Sequence, residues 1–165
     1  PFDLQEPLLL LGTFNDWSPD VARQCHSFSI ASRGPWCVES YILLRLPSNE
    51  VSFQIVSARH CWNWRIWPLD GGKEVRNLSS AGMRILWNAK LAAGSESERA
   101  HGKNFRLRCV AGEVIEVRVL LRSTEVMVAC AWPAIPDSGG DLPISGSMPK
   151  LLVPSAALAA APSAL

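Results

Sequence analysis

Alternation of apolar and polar residues with a period of two marks several segments of this chain as strands, because successive side chains of a strand point to opposite faces. Val51 to Ala58 is the cleanest case: Val51, Phe53 and Ile55 fall on one face, and Ser52, Gln54 and Val56 on the other. Trp62 to Trp67 alternates as well, with Trp62, Trp64 and Ile66 opposite Asn63, Arg65 and Trp67, and Pro68 ends the run. Leu8 to Thr13 is a continuous apolar run, His26 to Ile30 alternates, and Trp36 to Leu46 is rich in β-formers. Further on, Asn104 to Val110, the turn Ala111 to Glu113, and Val114 to Leu121 predict a hairpin. Its second strand sets Ile115, Val117 and Val119 against a wet face carrying Glu116 and Arg118. Ser123 turns the chain into Glu125 to Trp132, where Val126, Val128, Cys130 and Trp132 share a face. About seven or eight short strands separated by turn signals predict an all-β sandwich over residues 1–132.

Two stretches depart from this pattern. Asn77 to Ala100 predicts an insertion, with Ser79 or Ser80 capping a short helix through Met83, Leu86 and Leu91 and Gly94 as its stop. From Pro133 to Leu165 the composition shifts to Pro, Ser, Gly and Ala, which buries too little apolar area to offset ordering and predicts a disordered linker or tail.

Composition narrows the function classes. Sixteen basic against fifteen acidic side chains leave a net charge of +1, so no global field draws the chain to nucleic acid or to an anionic membrane. No apolar stretch reaches the length of a membrane span. Seven Trp against one Tyr supply large flat faces, some of them expected at the surface. Five Cys, at positions 25, 37, 61, 109 and 130, form no CxxC pair and are expected to be mostly reduced core thiols. The start at Pro1 shows no charged leader followed by an apolar region, so the expectation is a soluble, intracellular piece of a longer protein.

The segment Gly12-Thr13-Phe14-Asn15-Asp16-Trp17 follows directly on the apolar run Leu8 to Leu11. In this arrangement the chain resembles the starch- and glycogen-binding modules of the AMP-activated kinase β-subunit and of branching enzymes, which open with an apolar strand and Gly-[Ser/Thr/Asp]-Phe-Asn-x-Trp. A second element of that family, an aromatic-Lys-aromatic strand, an Asp-Gly turn, a Trp and an Asp-Pro turn, is met in part by Phe53 to Val56, Trp62 and Trp64. Here Gln54 stands in place of Lys, Ser57 to His60 replace the Asp-Gly turn, and Pro68 precedes Asp70. Asn104 is the nearest equivalent of a third element, an Asn near the last strands.

The resemblance implies an immunoglobulin-like antiparallel β-sandwich that binds α-glucan without catalysis. It implies Trp17 and one of Trp62 or Trp64 as stacking platforms, Gln54 and Asn104 as polar partners, and no metal or cofactor. The alternative is a structural or protein-interaction sandwich that has lost sugar binding, with Trp17 only covering the sandwich edge and Trp62 in the core; under either reading Phe14 plugs the core and Asn15 satisfies turn backbone.

Other motifs fall away on their chemistry. Asp70-Gly71-Gly72-Lys73-Glu74 lacks the earlier Gly and the following Ser or Thr of a phosphate loop. Cys25-His26 and His60-Cys61 are strand neighbours that point apart, so each pair supplies one metal ligand at most. Asn77-Leu78-Ser79 matches a glycosylation sequon by chance unless the chain is secreted. No GxSxG, HExxH or acid–base carboxylate pair is present, and Asp16 and Asp20 most simply shape the turn around Trp17. Arg106, Arg108, Arg118 and Arg122 are expected to form solvated cross-strand pairs with Glu113, Glu116 and Glu125.

Overall fold

Ten strands dominate the computed structural model, which describes residues 3–78 and 84–133. They are β1 (Leu8–Gly12), β2 (Ser29–Arg33), β3 (Cys37–Arg45), β4 (Glu50–Ser57), β5 (Cys61–Pro68), β6 (Val75–Asn77), β7 (Arg84–Ala93), β8 (Phe105–Arg108), β9 (Val114–Arg122) and β10 (Val126–Ala131). One helix, α1 (Pro19–Cys25), and two 3₁₀ segments, Thr13–Asn15 and Gly94–Ala100, complete the described elements. The strands join in the order β2-β3-β9-β10-β7-β5-β4-β8-β6, with β1 paired to β4. The class is all-β, and the sheet is mixed rather than purely antiparallel, because β6 and β8 run parallel. Residues 1–132 form one compact unit. The expected tail lies almost entirely outside the described residues.

Period-two patterning builds the core as expected. Leu8 and Leu10, Val51, Phe53 and Ile55, Ile115, Val117 and Val119, and Val126, Val128 and Cys130 all enter one buried cluster. Trp87 of β7 lies edge-on to Phe105 of β8 at 5.4 Å and to Phe53 of β4 at 6.3 Å, and Phe53 stacks on Phe105 at 5.2 Å. β7 pairs only with β10 and β5, so its indole reaches β4 and β8 across the interior: the sheet curls over its own inner face. Each such ring pair adds about 0.5–1.5 kcal/mol beyond its buried area.

Three expectations are corrected. The hairpin from Asn104 to Leu121 does not form, since β8 pairs with β4 and β6 while β9 pairs with β3 and β10. The turn at Gly112, whose φ of 88° suits glycine, carries the chain between two parts of the sheet. The helix expected through Leu86 and Leu91 is strand β7 instead, with Ile85 and Trp87 in the core and Leu86 exposed; its proposed start, Ser79 to Met83, lies outside the described residues. Of the five thiols only Cys109 and Cys130 are buried; Cys25 is exposed, and Cys37 and Cys61 are half-buried.

A smaller cluster lies on the outer face of β1 and β4. Leu9, Leu11 and Val56 are covered by Ala22 of α1, with Trp17, Ala58 and Trp62 packed around them. At seven residues α1 is too short to hold itself in water, so burial of Ala22 against these leucines stabilises it. Ser18 caps it, Pro19 occupies its first turn and Arg23 meets Asp20 at 2.7 Å.

Candidate functional site

Trp17 stands at the end of a turn wired by one amide. Asn15 is buried; its Oδ1 accepts the Gly12 N–H at 2.9 Å, and its Nδ2 donates to the Leu10 carbonyl at 2.8 Å and contacts His26 Nδ1 at 3.2 Å. Phe14 packs against the core beneath it, so the structural roles expected of Phe14 and Asn15 hold. Asp16 and Trp17 are both left-handed, with φ of 53° and 58°, a conformation costing roughly 1–3 kcal/mol per non-glycine residue. The Trp17 N–H closes the turn on the Gly12 carbonyl at 3.1 Å, and the indole lies half-buried over Leu9 and Leu11.

Trp62 arrives from the β4–β5 turn, which Ser57 organises. Its hydroxyl donates to the buried Glu6 carboxylate, and its oxygen accepts the Arg59 and His60 N–H groups at 2.9 and 2.8 Å. Every hydrogen-bonding capacity of Ser57 is thereby spent on shaping the turn. Arg23 clamps α1 to that turn by donating to the Ala58 carbonyl at 3.1 Å and to Cys61 Sγ at 3.0 Å. The two indoles meet at 6.4 Å with a 36° tilt, both half-buried. Arg65 lies 5.0 Å over the Trp62 ring and donates through Nε to the Trp62 carbonyl at 2.6 Å. Burial lowers the Arg65 pKa and the Glu98 carboxylate pulls it back up; the guanidinium stays charged.

Two expected contact residues are inside instead. Trp64 is 5% exposed and belongs to the core, whereas Trp62 faces outward. Strict alternation puts both on one face, but the β4–β5 register jumps between Val56 and Ser57, so that Ser57 pairs with Cys61, and the jump turns Trp62 away from Trp64. Gln54 is 2% exposed, and its Nε2 donates to the carbonyls of Ala100 and Lys103 at 2.7 and 2.9 Å. The 3₁₀ segment Gly94–Ala100 packs on β5, and Gln54 holds its exit beneath it. Asn104 is half-buried at the foot of β8 and abuts Gly72, where a Cβ would come within 2.5 Å of the Asn104 carbonyl oxygen.

A cleft of about 580 Å³ has Trp64 in its wall and Asp3, Glu6, His60, Asn63 and Glu98 around it. Arg65, Asn63 and Glu98 were not among the sequence candidates; the polar outward positions of the Trp62 to Trp67 strand mark the first two, while no local pattern marks Glu98. Among the described residues no group of three or more His, Cys, Asp or Glu side chains is arranged to hold a metal ion, and no helix is long and apolar enough to cross a membrane.

Burial pushes His26 below the usual histidine pKa of 6.5. The Asn15 amide donor faces Nδ1, which accepts only in the neutral ring. As pH falls below the unfolded value, the unfolded chain takes up this proton first, so stability decreases until the folded pKa is also passed. The melting temperature is expected to fall between neutral pH and about pH 5, and His26→Gln to flatten that slope. An unchanged slope in the variant removes His26 as its origin.

No protein-family model, curated protein or solved structure matches the chain.

Proposed function

We propose that this chain is a non-catalytic α-glucan-binding module, an immunoglobulin-like sandwich in class, whose platform is Trp17 with Trp62. The observation that supports this most directly is the meeting of these two indoles at 6.4 Å on the outer face, each set in place beside a strained left-handed residue. An α-glucan offers apolar C–H faces and hydroxyl edges, which suit flat indoles and a few polar groups. Arg65 beside Trp62 supplies fixed donors to ring hydroxyls, whereas Asn104, expected as a polar partner, packs against Gly72 instead. Gln54 and Trp64 act instead by holding the scaffold. Such a shallow site is weak alone and gains from a tethered neighbour domain. A near-neutral net charge supports a neutral partner over nucleic acid or membrane.

Co-sedimentation with insoluble starch and with glycogen is the test. Wild type is expected in the pellet, and Trp17→Ala and Trp62→Ala to lose retention by roughly tenfold or more, as for removal of a central aromatic anchor. Wild type remaining in the supernatant ends the glucan reading. The burial of Trp64 and Gln54 and the Arg65 cover on Trp62 favour the second reading, a structural or protein-interaction sandwich. Under that reading Trp17→Ala lowers stability and leaves sedimentation as it was.

A further inference from the structure

Beyond Trp17 and Trp62, a second cavity of about 480 Å³ opens at the far end of β5, between β7 and the 3₁₀ segment. Its apolar part is Trp67, Leu69 and Ala92, and its charged part is Lys90, Arg99 and Lys103 against a single carboxylate, Glu96. The cleft on the other side of the 3₁₀ segment has the opposite character, with Asp3, Glu6 and Glu98. On a chain of net charge +1 the two signs are therefore sorted rather than mixed.

The charges in this cavity are not all compensated. Arg99 pairs with Glu96 at 3.1 Å, while Lys90 and Lys103 have no ion-pair partner among the described residues. Two free ammonium groups match the charge of about −1.5 to −2 that a phosphomonoester carries at neutral pH. Lysine acts as a point charge toward phosphate, so no forked geometry is needed.

The walls are fixed before any ligand arrives. Gln54 anchors the Lys103 carbonyl at 2.9 Å from beneath, the Leu69 N–H is bonded to the Asn88 carbonyl at 3.0 Å, and the Ser97 hydroxyl donates to the Gly94 carbonyl at 2.7 Å. Gly72 allows the Asp70–Gly72 loop to approach the Asn104 backbone more closely than any side chain permits. Trp67, 4% exposed, is held by the sheet. Walls fixed in this way reduce the ordering cost of binding.

The geometry points to a binding site for a small organic phosphate: the phosphate is held between Lys90 and Lys103, and the carbon body rests against Leu69, Ala92 and the edge of Trp67. This site stands apart from the glucan platform and does not depend on it. The salt dependence of such binding is steep, because both contacts are solvent-facing charges.

The test is an NMR titration of the full 165-residue chain with glucose 6-phosphate, with inorganic phosphate and with glucose. Glucose 6-phosphate is expected to give saturable shifts at Lys90, Ala92 and Lys103, with inorganic phosphate weaker by roughly tenfold for want of an apolar body, and glucose inert there. Lys90→Gln combined with Lys103→Gln is expected to weaken binding by roughly tenfold or more, with unchanged circular dichroism, whereas Trp17→Ala leaves it intact. Equal binding of glucose 6-phosphate by wild type and the double variant overturns the proposal. So does the absence of saturation at these residues, or equal affinity for inorganic phosphate. Loss of starch retention in Trp17→Ala with the phosphate shifts preserved separates the two sites.

Discussion

Arg118→Ala is expected to lower the unfolding free energy by about 3–5 kcal/mol, the usual consequence of removing one member of a buried ionic cluster. Arg118 lies between two carboxylates, with Nη1 2.8 Å from Glu39 and Nε 2.8 Å from Glu116. All three side chains are less than a tenth exposed. The guanidinium also rests 5.7 Å from the Tyr41 ring. Burial works against its charge, but the hydrogen bonds and charges of Glu116 and Glu39 outweigh that and raise its pKa. With Arg118 gone, the two desolvated carboxylates that flank it on neighbouring strands are left without a counter-ion, a larger penalty than the loss of the pair itself. Replacing all three together, Glu39→Leu, Glu116→Leu and Arg118→Met, is expected to be near neutral, because apolar side chains of similar volume need no partner. Urea unfolding of the two variants decides it. A loss below about 1 kcal/mol for Arg118→Ala shows that the cluster behaves as a surface network.

That cluster also shows where the sequence stops being informative. The alternation of Val114 to Leu121 placed Ile115, Val117 and Val119 inward and Glu116 and Arg118 outward correctly. It also implied that the outward pair is wet, and here the structure differs, because period two specifies a face and not what surrounds it. Arg106 and Arg108, which meet Glu50 at 3.4 and 3.5 Å, and Arg122, which meets Glu125 at 3.0 Å, are partly solvated as expected. The partner of the first two, Glu50, comes from β4 and was not foreseen.

The missed elements have separate causes. In β7 the apolar positions Ile85 and Trp87 alternate, yet Leu86, Ala89, Leu91, Ala92 and Ala93 give the segment the composition of a helix. Pairing with both β10 and β5 overrides that propensity. α1 was legible in principle from Ser18-Pro19-Asp20, a cap followed by Pro and an acidic first turn. The two site errors are tertiary. A register jump turns Trp62 outward and leaves Trp64 inside, and a segment some 46 residues downstream supplies the Ala100 carbonyl that claims Gln54. Trp17, by contrast, was legible because its placement is local, written within the six residues that end β1.

Gly12→Ala puts that local wiring to the strongest test. The Gly12 backbone is extended, with φ of −173°, so any residue can adopt it; the constraint is space. A Cβ there would come within 2.4 Å of the Ser52 carbonyl oxygen and 2.6 Å of the Phe14 ring. The first obstacle is backbone of β4, which pairs with β1 at Gly12 and Phe53, so relief requires the end of β1 to move away from its partner. Overpacking of this kind costs about 1–3 kcal/mol and sometimes more. The displacement passes directly to Trp17, because the Gly12 N–H donates to Asn15 Oδ1 and the Gly12 carbonyl accepts the Trp17 N–H. Gly12→Ala is therefore expected both to lower the melting temperature and to reduce starch retention, whereas Trp17→Ala reduces retention with a smaller change in stability. Measuring both quantities on both variants separates turn geometry from indole chemistry. If Gly12→Ala retains starch like wild type while its stability falls, the turn does not set the platform, and the role of the Trp17 indole rests on the Trp17→Ala result alone.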